Sequence, residues 1–184
     1  MLTRRDAARL LTGTGAMLVA ARTARADTKA EIDAGVHAAL NSLRRMERVE
    51  PLVRASIAQL IFPRILSGGF IVGGQFGEGA LVRNNAIESY YKIGGVSVGL
   101  LAGAQTAGLA MLFMREDALA ALRRNDGWQI GTGPSVVAFD LGAQANATST
   151  TMSEAVYAVT FGQQGLMASL SLDGTRITPF TPSS

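Results

Sequence analysis

The chain has 184 residues, with 17 Lys and Arg against 14 Asp and Glu, a single histidine and no cysteine. The cysteine count excludes disulfides, thiolate catalysis and Cys-ligated zinc or iron–sulfur clusters, and the lone His37 excludes multi-histidine metal sites. The net charge of +3 is uneven: residues 1–26 hold five basic groups and one acidic group, leaving 12 basic and 13 acidic from Asp27 onward, a net −1 that argues against nucleic acid as a partner.

Residues 1–26 read as an export signal. Arg4 and Arg5 open a positive region, Leu10 to Ala21 form a short apolar stretch, and Ala24-Arg25-Ala26 is an A-x-A cleavage site. The apolar stretch has only 12 residues, too few to span a bilayer. With Thr3-Arg4-Arg5 it resembles a twin-arginine signal; the small Ala7 and Ala8 keep the general secretory route as the alternative. A periplasmic or secreted protein is therefore expected. The 158 residues of 27–184 suit one domain held together by packing alone.

An amphipathic helix is expected over 28–48, where Ile32, Val36, Leu40 and Leu43 recur at helical spacing and Arg44, Arg45 and Arg48 lie at the C-terminal end. Pro51 starts a second, shorter helical piece, and an apolar strand over 57–62 is expected to end at Pro63. Six glycines then crowd the apolar run Phe62–Leu81, too many for a helix. In a strand, Gly69, Gly73, Gly77 and Gly79 share one face, open to a second layer or a ligand. The expected strands are 69–76, 79–84, 90–99, 100–105, 107–114, 134–142, 155–162, 165–172 and 174–178. A helix over 115–124 interrupts them, acidic at its start and basic at its end. Asn146 to Ser153 is a polar loop, and Asp173-Gly174 a hairpin turn. The uncharged run of 22 residues from Ile93 to Met114 repeats glycine at 95, 99 and 103. Close-packed strands or a packed helix account for it better than a membrane span, because Gly69, Gly73 and Gly77 show the same spacing outside any span.

Signals for catalysis are absent. The glycines fit neither G-x-x-x-x-G-K-[ST] nor G-x-G-x-x-G, there is no G-x-S-x-G, and His37 with Asp33 one turn earlier reads as a solvated pair. No enzyme, cofactor or metal is expected. A basic amphipathic helix beside an apolar glycine-lined surface suits an anionic lipid.

The chain from about Ile32 to Ile177 resembles the SYLF domain family. The resemblance rests on Phe62-Pro63-Arg64, Gly69-Phe70, Gly73 to Leu81, Tyr90-Tyr91, Ser97-Val98-Gly99, Gly103-Ala104-Gln105, Leu112-Phe113-Met114, Trp128 to Gly131 and Gly165 to Ala168, in that order. It implies an α+β fold: an antiparallel, glycine-rich, strongly curved or barrel-like sheet packed with the N-terminal helix and the helix near 115–124. It also implies phospholipid binding without catalysis. The expected lipid site comprises Arg44, Arg45, Arg48 and Arg64 for the headgroup, with Phe70, Gly73, Gly74 and Gly77 for the apolar part. Ser67 stands where the family often has lysine. The expected partner is a phospholipid or membrane surface, with actin not expected. The competing reading is a structural or interaction protein of the envelope.

Overall fold

The computed structural model describes residues 27–69, 72–98, 103–124, 126–139, 153–164, 172 and 174–184. Helix α1 (Lys29–Arg44) opens on a capping box, in which the Thr28 hydroxyl accepts from the Glu31 backbone and the Glu31 carboxylate accepts from the Thr28 backbone. Its apolar stripe of Ile32, Val36, Ala39, Leu40 and Leu43 is buried, as the helical spacing predicts. Pro51 sits in the first turn of α2 (Glu50–Ala55), where its missing N–H is harmless.

Among the described residues six main strands and two short ones follow: β1 (Ala58–Gly69), β2 (Val72–Arg83), β3 (Ala86–Val98), β4 (Gly103–Phe113), β5 (Trp128–Gln129), β6 (Val136–Phe139), β7 (Val156–Gln164) and β8 (Arg176–Phe180), with α3 (Glu116–Leu122) after β4. They form one sheet in the order β5-β8-β3-β2-β1-β4-β7-β6, antiparallel except for the β6–β7 pair. The edge strands β5 and β6 are joined by residues 130–135 alone. Seven steps of extended chain reach at most about 25 Å. Eight flat strands are about 34 Å wide. The sheet must curl, and it forms the half-barrel that the resemblance implies.

Pro63 does not end β1. Register with β2 shifts between Ile61 and Arg64, and with β4 between Phe62 and Ile65, so the proline falls in a bulge where the ladder is already broken. Two pairs of expected strands fuse: 69–76 with 79–84 into β2, and 100–105 with 107–114 into β4. Within the uncharged 93–114 run, residues 93–98 are the end of β3 and 103–113 are β4, and no described helix is long and apolar enough to cross a membrane. Asn84 and Asn85, with φ of 52° and 63°, close the two-residue turn between β2 and β3, the left-handed pair a tight hairpin requires. Most of the expected 165–172 strand and 146–153 loop, and Asp173, lie outside the described residues.

Strand alternation divides the core. On one face Leu60, Phe62, Ile65, Leu81, Ile93, Leu109, Met111 and Phe113 pack under α3 and beside Trp128. On the other, Ile61, Ala80, Val82, Ala110, Leu112, Tyr157 and Val159 pack under α1 and α2. The Tyr90 hydroxyl ties β3 to α1, donating to Asp33 at 2.7 Å, while Lys29 donates to the same carboxylate at 2.8 Å. Burial pushes the Asp33 carboxyl up, but hydrogen bonds from Lys29 and Tyr90 outweigh it and hold the group below the usual carboxylate range.

Candidate functional site

Helix α1 does not cover the whole of its sheet face. It begins at the Glu78 level, where the Asp27 N–H donates to Glu78 Oε2 at 2.9 Å, and it ends at the hairpin, where Arg44 donates to Asn85 at 2.6 Å. Sixteen helical residues span about 24 Å. Twelve strand residues of β2 span about 40 Å. The six residues of β2 that precede Glu78, about 20 Å of strand, therefore project beyond the start of α1, at the end where β1 and β2 meet.

Cross-strand register lays this projecting end out in rows on the α1 face. Arg64, Glu78, Lys92 and Thr178 form the first. Thr106, Leu66, Phe76, Gly94 and Arg176 form the second, and Gly68, Gly74 and Val96 the third. Leu66, Phe76 and Val96 are 44%, 49% and 70% exposed, the large hydrophobic side chains left in solvent among the described residues. Cationic Arg64, Lys92 and Arg176 border them. Arg64 is engaged with Asp27 at 3.1 Å, and Arg176 donates to the Asp126 carbonyl.

The opposite face of this end is closed. Gln75 and Thr175 are buried and joined by a 2.5 Å hydrogen bond. Gly95 leaves room for them, since a Cβ there would lie 3.1 Å from both side chains. Gly77 and Gly79 face β1 itself: a Cβ would lie 2.8 Å from the Arg64 carbonyl and 2.1 Å from that of Ile61. These two glycines admit the bulged backbone of β1, leaving no gap for a ligand. Gly73 and Gly77 are buried, whereas Gly74 is exposed on the opposite face of the strand, so the three do not line one surface. Phe70 lies outside the described residues.

The basic site residues also divide. Arg64 stands at the projecting end and Arg44 at the far end of α1, about 24 Å of helix away. Arg45 and Arg48 are exposed just beyond α1, at the same end as Arg44. Arg44, Arg54 and Arg83 line an open recess of about 520 Å³ with Glu50, Asn84 and Asn85. It is polar, and Arg54 and Arg83 are paired with Glu50 and Glu116. His37 is exposed on α1, and among the described residues no three acidic or histidine side chains gather as metal ligands.

Leu66, Phe76, Val96 and Lys92 were not evident from sequence, because they sit on three strands and only register assembles them. The available signal was local: in β2 the buried face carries Gly73, Gln75, Gly77 and Gly79, which leaves Phe76 on the other side.

The class that this fold and surface define is a curled, helix-capped sheet with an exposed apolar end. Residues 94–181 match the family described as Ysc84, Las17-binding protein actin regulator, a match consistent with the SYLF resemblance of the motifs. SYLF domains are binding domains and are not known as catalysts. No curated protein matches the chain.

Proposed function

We propose that the chain is an exported, non-catalytic phospholipid-binding protein of the bacterial cell envelope, periplasmic or secreted, which docks the projecting end of its sheet on an anionic lipid surface. The observation that carries this reading is the exposed row of Leu66, Phe76 and Val96 bordered by Arg64, Lys92 and Arg176. Apolar side chains on a rigid sheet end gain free energy by entering the headgroup region, and each cation near an anionic surface adds about 1 kcal/mol at low salt. The charge of −1 from Asp27 onward makes long-range attraction weak, so contact depends on this local border. The glycines support the surface, and the side chains between them meet the lipid. Arg44, Arg45 and Arg48 face a different region and cannot share a headgroup with Arg64. Actin is not an expected partner for an exported protein.

Co-sedimentation with phosphatidylcholine vesicles, with and without phosphatidylglycerol, tests the reading. Binding to the mixed vesicles, reduced by salt and about fivefold weaker in Lys92→Gln, is the expected result. No binding of the wild type at low salt sinks it and favours the competing envelope interaction protein.

A further inference from the structure

The chain enters α1 through a fastened segment. The Asp27 N–H donates to Glu78 Oε2 at 2.9 Å, and the Asp27 carboxylate accepts from Arg64 at 3.1 and 3.3 Å. Thr28 pairs with Ser183 near the C-terminus, and the Lys29 N–H donates to the Ser183 carbonyl at 2.9 Å. Glu78 is the buried end of this arrangement: it is 9% exposed, in the middle of the sheet between β1 and β3. A carboxylate at such a depth is costly unless charge or several hydrogen bonds meet it. Asp27 is also the residue that follows the A-x-A site at Ala24 to Ala26. Two independent lines, one from the leader pattern and one from the fold, converge on the same nitrogen.

We infer that removal of the leader completes the fold by turning Asp27 N into an ammonium paired with Glu78. Hydrolysis of the Ala26–Asp27 bond by a leader peptidase adds water across the amide: the oxygen goes to the new Ala26 carboxylate, and the Asp27 nitrogen takes up protons as an ammonium. An amide offers Glu78 one neutral N–H, whereas the ammonium offers a charge and up to three donors at the same position. The positive end of α1 opposes a cation there, and the carboxylates of Glu78, Asp27 and Glu31 offset it. Removal of the leader thus strengthens the domain it exported. The inference rests on cleavage after Ala26 and is independent of lipid binding.

Among the described residues every buried core residue lies between Ile32 and Ile177, within the chain from Asp27. Its thermal melting is compared with a free and with an acetylated Asp27 amine, each with Glu78 and with Glu78→Gln, near pH 6.5 where a free α-amine is protonated. Acetylation should lower the midpoint by about 5 °C with Glu78 and by less than about 1 °C with Gln, which still accepts a hydrogen bond. The uncleaved chain should melt with the acetylated form. Equal midpoints for amine and acetyl forms, an equal loss in the Glu78→Gln pair, or an uncleaved chain as stable as the free-amine form overturns the inference.

Discussion

Gly79→Ala is expected to destabilise the protein by about 3 kcal/mol or more, while Gly74→Ala, five residues away on the same strand, changes stability by no more than about 0.5 kcal/mol. At Gly79 an added Cβ would lie 2.1 Å from the Ile61 carbonyl oxygen and 2.7 Å from a Phe62 ring carbon. The first obstacle is backbone, held by the ladder on both sides, so relief requires β1 and β2 to separate. At Gly74 the nearest atom is 3.9 Å away, an ordinary contact, and alanine also limits the unfolded chain. Urea unfolding read by Trp128 fluorescence measures both. Equal stability of the two variants would show that the bulge does not bring β1 over β2.

The largest functional effect is expected from replacing Leu66, Phe76 and Val96 together by threonine, which preserves strand propensity. Full burial of such a side chain contributes about 1.5–3 kcal/mol, and these three already have part of their surface covered, so about 1 kcal/mol each is at stake. Vesicle affinity should fall about 100-fold, roughly 3 kcal/mol in total. Because the three side chains are 44–70% exposed, folding stability should move by less than about 1 kcal/mol. Loss of binding with the fold intact separates a docking surface from a packing role. The comparison also avoids Arg64, whose removal disturbs the Asp27 contact and with it the start of α1.

Much of the architecture was legible because local chemistry and tertiary packing agree. The stripe from Ile32 to Leu43 needs a covered face, and the sheet supplies it; Pro51 suits a first turn; Glu116 and Asp117 start α3 as the helix dipole favours. Pro63 misled because a proline that ends a ladder and one that sits in a bulge have the same local signature, and only the strands on both sides distinguish them. The glycine pattern pointed correctly to close approach but not to what approaches. At Gly77 and Gly79 it is β1. The grouping of Arg44, Arg45, Arg48 and Arg64 followed sequence proximity, whereas α1 carries the first three to the opposite end of the sheet. The apolar patch depends on register among three strands, a non-local property that no window of residues contains.

The central claim is that the sheet end beyond α1 enters the lipid surface. Methyl NMR of the protein on phosphatidylcholine–phosphatidylglycerol bicelles, with a spin label on the lipid acyl chains, tests it most directly. The account predicts that the Leu66 and Val96 methyl signals broaden strongly while those of Leu43 and Val53, on the buried faces of α1 and α2 at the far end, keep their intensity. Uniform broadening, or broadening centred on the α1–α2 end, would contradict it.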